Sequence, residues 1–284
     1  MLVFYHLQTK NRVYMHITRS LLVLIFLTFV FSLKAQEEEE ASHSPFFIGI
    51  NAGAFFPNSN TAHLYRGTSD ITPYGILHIL SIPQNKQVFD AYFQYPYEVA
   101  EFPIETAYKT AAEIGIQLGY EFNSEWSIFL DLVSTRIKYE RFFTMAIDKP
   151  TNQSVEPNYE QIPVIGEENR FMLNLGTQIS LHSEESLNVY FPIFLNVNDT
   201  ELKSNYLVID NRNYTIIHNV DNTPNQRPGG IGYGGGSGLG LKFNLSDHLL
   251  ADCYYYLYYT KTYMTENTQP FGFHHSLGLR VLWR

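Results

Sequence analysis

Apolar and polar residues alternate with a period of two along most of this chain, in runs of about ten residues bounded by turn residues. The run 112–122, AEIGIQLGYEF, shows the pattern clearly, because Ile114 and Ile116 share one face while Glu113 and Gln117 share the other. Eight such runs are present, and we predict a β-strand for each. They are residues 46–56, 112–122, 126–141, 169–181, 187–197, 228–243, 249–262 and 271–284.

The connections between these runs alternate in length. Three are short, with the sequences NSE at 123–125, HSEES at 182–186 and SDH at 246–248. The connections that follow the first, third, fifth and seventh runs are longer. Short periplasmic turns and long extracellular loops are typical of an antiparallel, up-and-down transmembrane β-barrel. The sequence therefore predicts an all-β fold of this kind, most simply with eight strands. A soluble β-sandwich or lipocalin-like barrel is disfavoured, since its loops would have similar lengths at both ends.

The connection 57–109 is too apolar for a free loop. It contains the stretches GILHILSI at 75–82 and VFDAYFQYPYEV at 88–99. We expect a short helix or strands that cap the mouth of the barrel. Ten strands rather than eight are therefore possible.

The N-terminal residues have the pattern of a secretory signal peptide. Lys10, Arg12 and Arg19 precede the apolar run 21–33, and Ala35 ends a short polar segment. We predict a signal peptide at 1–35, an acidic periplasmic segment at 36–45 and a barrel at 46–284. These boundaries predict a location in the outer membrane of a Gram-negative bacterium.

Composition limits the possible chemistry. Removal of residues 1–35 leaves 15 Lys and Arg against 28 Asp and Glu, and so strong an acidic excess argues against a nucleic-acid partner. Cys253 is the single cysteine, so no disulfide can form within the chain and no Cys/His zinc spacing occurs. Aromatic residues make up 15% of the chain, as suits β-structure. We expect no cofactor and no metal.

Four segments resemble the outer-membrane β-barrel proteins of Bacteroidetes: SLKAQ at 32–36, FFIGINAGAFFP at 46–57, EIGIQLGYEFNSEWSIFLDL at 113–132 and LGLRVLWR at 277–284. The resemblance implies an eight-stranded barrel similar to the OmpA type, without its peptidoglycan-binding domain. It implies contact with outer-membrane lipid and lipopolysaccharide. The last strand, with Trp283 near its end, looks like the signal that the barrel-assembly machinery reads. These motifs are general to the architecture and do not specify a function.

Six charged residues have the parity of the barrel interior. Buried charges cost several kcal/mol unless they are paired, so we predict a structural salt-bridge network in the lumen, with Arg280 paired to Glu113 or Asp131. A proton or ion path is the alternative interpretation. The six residues are Glu113, Glu121, Asp131, Lys242, Asp252 and Arg280.

His274 and Ser276 lie two positions apart and therefore share a strand face. A His-x-Ser pair on a barrel strand is similar to that of lipid A 3-O-deacylases, in which the histidine activates the serine. Alternation places this pair inward, away from a lipid substrate. We therefore expect a histidine satisfied by hydrogen bonds, and keep these two residues as weak catalytic candidates.

The stretch PGGIGYGGGSGLGLKF at 228–243 contains the spacing G-x-G-x-x-G. A dinucleotide-binding turn needs a strand before it and a helix after it, and neither is predicted here. The glycines at 232, 234, 236, 238 and 240 instead share one parity. We predict that they face the lumen and that Tyr254, Tyr256 and Tyr258 of the next strand lie across them.

These observations favour a structural or surface-binding barrel, not an enzyme, whose extracellular loops contact an unidentified ligand or envelope protein. Two alternatives are a narrow channel for small solutes and a lipid A-modifying hydrolase.

Overall fold

The computed structural model describes residues 44–150, 157–183, 187–218 and 228–284. The predicted signal peptide and most of the predicted acidic segment lie outside these ranges. Within these ranges there are ten strands: β1 Phe46–Phe56, β2 Tyr97–Glu101, β3 Ala111–Glu121, β4 Trp126–Ile147, β5 Asn158–Ser183, β6 Leu187–Ile209, β7 Arg212–Thr215, β8 Gly229–Asn244, β9 Leu249–Lys261 and β10 Phe271–Trp283. Two α-helices follow β1, α1 Ile76–Ser81 and α2 Pro83–Phe93, after a 3-10 helix at Ala62–Arg66.

Eight of the ten strands close into a ring. Each pairs antiparallel with two neighbours in the order β1, β3, β4, β5, β6, β8, β9 and β10, and β10 returns to β1. The predicted antiparallel β-barrel is therefore confirmed. The other two strands lie outside the ring, since β2 pairs with β4 and β7 pairs with β6. The connections β3–β4, β5–β6 and β8–β9 are at one end, called here the short-turn end, and the opposite end is the long-loop end.

The outer surface of the ring is apolar. Outward-facing side chains are strongly exposed, as at Ile50 (71%), Leu195 (70%) and Leu279 (67%). Aromatic side chains border this surface at the short-turn end, with Phe122, Trp126 and Trp283 exposed. Others border it towards the long-loop end, namely Phe56, Phe171, Tyr233, Tyr259, Phe271 and Phe273. We call this surface the apolar belt.

Strands β4, β5 and β6 continue well beyond the belt. The predicted strand ends at residues 141 and 197, and the predicted start at 169, were wrong. The strands continue past these positions, and near them the polarity of the two faces reverses without any break in the alternation. In β4 the outward residues change from Ile128 to Arg136, while the inward residues become apolar, as at Phe143 and Met145. The sequence analysis places most residues of this reversed pattern in loops.

The extensions form a projecting sheet of the strands β2, β4, β5, β6 and β7. β6 and β7 are joined by a tight turn in which Asp210 and Asn211 have positive φ (50° and 56°), the geometry of a two-residue hairpin. Among the described residues, no helix has the length and hydrophobicity needed to span a membrane.

Residues 57–109 form what we call the cap. They include β2, which belongs to the projecting sheet, and the other segments fold against the inner face of that sheet. The 3-10 helix and both α-helices bury apolar side chains there, so the long-loop end has a hydrophobic core of its own, separate from the lumen. The cap contributes Ala62, Leu64, Tyr65, Ile76, Ile79, Phe89 and Phe93, and the sheet contributes Tyr139, Phe143, Met145, Ile147, Ile162, Val164, Leu202, Leu207 and Ile209.

Candidate functional site

Tyrosines of β9 fill the lumen across the glycine strip of β8, as predicted. The strand register places Tyr254 opposite Gly240, Tyr256 opposite Gly238 and Tyr258 opposite Gly236, and all three tyrosines are buried. Strand β6 supplies two further rings that the sequence analysis missed: a Cβ atom at Gly240 would overlap Tyr190, and one at Gly236 would lie 2.5 Å from the Phe194 ring. The glycines therefore make room for aromatic rings from both neighbouring strands.

Arg280 is the centre of the charged network in the lumen. Its Nη1 donates to Asp252 Oδ2 at 2.8 Å, and its Nη2 lies 3.5 Å from Asp131 Oδ2. Its guanidinium also lies 4.4 Å from the ring centre of Tyr254. Tyr190 donates to both carboxylate oxygens of Asp252, at 2.9 and 2.8 Å. One cation therefore serves two buried carboxylates, and hydroxyl groups complete the contacts.

Glu113 is buried but does not pair with Arg280 through a described contact. Its Oε1 accepts hydrogen bonds from the hydroxyls of Tyr254 (2.9 Å) and Ser276. Of the two predicted partners for Arg280, the structure thus supplies Asp131, while Asp252 is the closer carboxylate.

The other two predicted lumen residues lie towards the short-turn end. Lys242 is buried, donates to Gln178 Oε1 at 2.6 Å and lies over the rings of Phe47 and Tyr190. Glu121 is not part of the network, because it lies at the rim and accepts from Arg284 at 2.8 Å with about a fifth of its side chain exposed. Glu121 is the last residue of β3, so it lies at the end of the barrel beside the C-terminal Arg284, and sequence parity does not reveal this position.

His274 and Ser276 both point into the lumen but are not joined by a described hydrogen bond. His274 Nδ1 accepts from the backbone N of Asn58 at 3.1 Å, and its ring stacks on Phe55. Ser276 donates to Glu113 instead. A nucleophile needs its base within hydrogen-bond reach, so this geometry does not form a His–Ser catalytic pair.

The sequence analysis missed a second charged pair, which lies in the lumen towards the long-loop end. Arg170 Nε donates to Glu168 Oε1 at 2.7 Å, and both side chains are buried. Glu168 Oε2 accepts from the hydroxyls of Tyr65 (2.8 Å) and Tyr108 (2.9 Å), both from the segment between β1 and β3. The signal available in the sequence was the spacing of Glu168 and Arg170, two apart on the inward parity of β5.

The cap contains a surface cavity of about 850 Å³ beside β2. Leu77 and Leu80 of α1 line one side, and Tyr97, Glu98 and Val99 of β2 line the other. Lys86 and Asp90 of α2 complete the lining, together with Ser81, Gln94, Tyr95 and Pro96. Lys86 Nζ lies 2.9 Å from Asp90, and the Tyr97 hydroxyl donates to the same carboxylate at 3.1 Å. The hydrogen bond from Lys86 holds the pKa of Asp90 below its ordinary value, so the carboxylate is ionised and paired.

In the part of the chain that the structure describes, no group of three or more His, Cys, Asp or Glu side chains could hold a metal ion.

Fold and site together define a class: a closed eight-stranded antiparallel barrel with an apolar belt, a lumen filled by polar and aromatic side chains, and a folded cap at the long-loop end. No protein-family model and no curated protein matches the chain. Solved structures similar to it include the Neisserial surface protein A, at 10% identity and a TM-score of 0.40, with 84% of this chain and 97% of that chain covered.

Two further similar structures are outer-membrane or attachment proteins by name. The outer membrane protein OprG of Pseudomonas aeruginosa has 10% identity and a TM-score of 0.37, with 84% and 96% of the two chains covered. The attachment invasion locus protein Ail of Yersinia pestis has 10% identity and a TM-score of 0.34, with 84% and 99% covered. The assignment of the fold rests on the closed strand pairing described above.

Proposed function

We propose that this protein is an integral outer-membrane barrel whose lumen is closed and whose cap binds a partner at the cell surface. The observation that carries the proposal is the reversal of polarity along β4, β5 and β6. Within the ring the apolar residues face outward, whereas in the projecting sheet they face the cap and the charges face outward. This arrangement suits a ring surrounded by lipid and a sheet surrounded by water.

The energetics of the belt favour lipid as its surroundings. Burial of apolar surface is worth roughly 25 cal/mol per Å², and soluble monomers rarely expose a contiguous apolar patch larger than a few hundred Å². The belt runs around eight strands, with outward residues such as Ile114, Leu175 and Val281 about half exposed or more. A closed ring also leaves no unpaired strand edge in the hydrocarbon region.

The test of the membrane assignment is a gel-migration and fractionation experiment. Detergent-extracted protein is expected to migrate differently before and after boiling, and to fractionate with the outer membrane. Identical migration together with recovery in a soluble fraction would contradict the assignment. Contact with lipopolysaccharide and insertion by the barrel-assembly machinery follow from the same proposal. An extracellular ligand or envelope protein would bind the cap.

A narrow channel is the second candidate, since polar groups such as Asn174, Asn196 and Asn198 form a hydrogen-bonded series along the lumen wall. Closely packed side chains in the middle of the lumen argue against conduction, because they leave no open path for a solute. Four of them are no more than 1% exposed, namely Arg280, Tyr190, Tyr254 and Tyr256. Planar-bilayer recordings of refolded protein are expected to show no stepwise conductance. Reproducible unitary steps would favour the channel. A hydrolase gains no support from the separate contacts of His274 and Ser276.

A further inference from the structure

Among the described residues, strand β2 has a neighbouring strand on one side only, so its other side is an open edge. It pairs with β4 on one side, with Glu98 opposite Ala146, and it ends the strand order of the sheet on the other. The backbone N of Asp148 donates to the carbonyl of Pro96 at 2.8 Å, so Pro96 and Glu98 turn their backbone groups towards β4. By alternation, the N–H and C=O groups of Tyr97 and Val99 point to the open edge. That edge offers hydrogen-bonding groups to another extended chain.

The cavity of the cap lies along this open edge. Tyr97, Glu98 and Val99 are consecutive and therefore alternate between the two faces of the strand, yet all three line the cavity. Residues from both faces can border one space only at a strand edge, and β4 occupies the other edge. The opposite wall is apolar, with Leu77 half exposed. The space can therefore accept a backbone beside β2 and side chains towards α1.

The charges around the edge indicate the kind of chain that fits. Lys86 and Asp90 neutralise each other at 2.9 Å. Glu98 and Glu101 are exposed on β2. Glu105, which follows β2, is also exposed, but Arg141 Nε lies 3.6 Å from its carboxylate and pairs with it. Among the described residues, the charges at the edge that have no ion pair are therefore those of Glu98 and Glu101, and they complement a basic partner.

We propose that β2 binds an extended peptide segment of a partner protein as an added strand, with basic side chains facing Glu98 and Glu101 and apolar side chains in the cavity. In this mode backbone hydrogen bonds supply affinity and the pocket supplies specificity. The proposal deepens the surface-binding role proposed above and rests on it, because the edge must face the outside of the cell to meet the partner.

The experiment uses the full-length mature protein in lipid nanodiscs and a fluorescein-labelled, acetylated peptide of alternating lysine and valine. Two methylated forms of the peptide are compared: one has a methyl group on the backbone nitrogen of every lysine, and the other on that of every valine. In an extended peptide, alternate backbone N–H groups point to opposite edges, and only one edge meets β2. Methylation of one set is therefore expected to weaken binding at least about tenfold, while methylation of the other set leaves binding nearly unchanged. An alternating glutamate and valine peptide is expected to bind more weakly than the lysine peptide.

Protein variants test the same contacts from the other side. Val99→Pro removes one N–H from the open edge, where proline is tolerated structurally, and is expected to weaken binding at least about tenfold. Leu77→Asp places a charge in the apolar wall and is expected to do the same. Ile104→Asp is the matched control, because Ile104 is 75% exposed and does not line the cavity. Each variant is first shown to retain heat-modifiable migration.

Three results would overturn the proposal: no saturable binding of the lysine peptide up to about 1 mM, equal effects of the two methylation patterns, or wild-type binding by Val99→Pro. Cell fractionation distinguishes a failure of strand addition from a failure of the outer-membrane assignment. If the protein is found in the outer membrane but binds no peptide, only strand addition is refuted. If the protein binds the peptide but is recovered outside the outer membrane, only the membrane assignment is refuted.

Discussion

The hydroxyl of Tyr65 donates a 2.8 Å hydrogen bond to Glu168 Oε2, and this contact joins the cap to the wall of the barrel. Tyr108 donates to the same oxygen at 2.9 Å, close to the point where the chain re-enters the ring at β3. Both ends of the cap are therefore held by one buried carboxylate, which Arg170 neutralises. Burial, followed by the nearby charge of Glu168, raises the pKa of Tyr65 and of Tyr108, so both remain protonated donors.

Removal of both hydroxyls should loosen the cap without opening the ring. In the double variant Tyr65→Phe, Tyr108→Phe, Glu168 Oε2 loses two donors while Oε1 keeps Arg170. A buried acceptor left without a donor costs about 1–3 kcal/mol. We expect faster limited proteolysis within 57–109 and unchanged heat-modifiable migration. Tyr92→Phe is the control, since the Tyr92–Glu160 hydrogen bond is exposed. Equal proteolysis of both variants would contradict the anchoring role.

Loss of the central cation should destabilise the barrel strongly. Arg280→Met leaves Asp131 and Asp252 buried without it, and breaking a buried pair on one side costs about 3–5 kcal/mol. The triple variant Arg280→Met, Asp131→Asn, Asp252→Asn should recover most of that loss. Urea unfolding in lipid vesicles, followed by tryptophan fluorescence, measures the difference. Arg212→Met is the control, because the Arg212–Asp210 pair is exposed at 3.9 Å; a similar shift for Arg212→Met and Arg280→Met would refute the role of Arg280.

A methyl group should cost more stability on the lumen face of β8 than on its outward face. A Cβ atom at Gly240 overlaps the Tyr190 ring, and overpacking of this kind costs about 1–3 kcal/mol. At Gly235, on the outward face, a Cβ atom meets a single backbone oxygen at 3.0 Å. We expect Gly240→Ala to lower the urea midpoint clearly more than Gly235→Ala. Equal midpoints would mean that the aromatic rings move aside freely.

Acid should loosen the hairpin region before it affects the rest of the projecting sheet. Burial lowers the pKa of His218 to about 4, and its Nε2 accepts from Asn205 at 2.8 Å as a neutral ring. The folded pKa lies below the ordinary value of about 6.5, so this contribution is complete above pH 6.5 and is lost as pH falls towards 4, by up to about 3 kcal/mol.

Hydrogen exchange in β7 between pH 7 and pH 4.5 measures this effect, and His218→Gln should remove the pH dependence. The hydrogen bonds from Lys109 and Lys138 lower the pKa of Glu140 to about 2, so its contribution is lost between about pH 4.5 and 2, below this window. An unchanged pH response in His218→Gln would show that another group is responsible.

The closed ring could be predicted because its signal is local. Alternation in β3, the short turns and the parity of the β8 glycines depend on neighbouring residues, and each appears in the structure as predicted. The full length of β4, β5 and β6 could not be predicted from the rule that the outward face of a barrel strand is apolar. From Arg136 onwards in β4, the alternation continues with a period of two, but the outward residues become polar and the inward residues apolar.

The pairing of the lumen charges could not be predicted either. Parity places Glu113, Asp131 and Asp252 inside, but strand stagger decides that Arg280 meets the two aspartates and that Tyr254 and Ser276 meet Glu113. Glu121 has the same parity as Glu113 and still lies at the rim with Arg284.

The sequence by itself determined the barrel, the face of each strand and the location of the aromatic and glycine positions, because these follow from a repeat of two residues and from turn chemistry. Tertiary structure alone decided which charges pair, how residues 57–109 close the long-loop end and where β2 leaves an open edge. Those features depend on contacts between residues far apart in the chain, such as Tyr65 with Glu168, whose distance is set by the stagger of the closed ring and not by any local pattern.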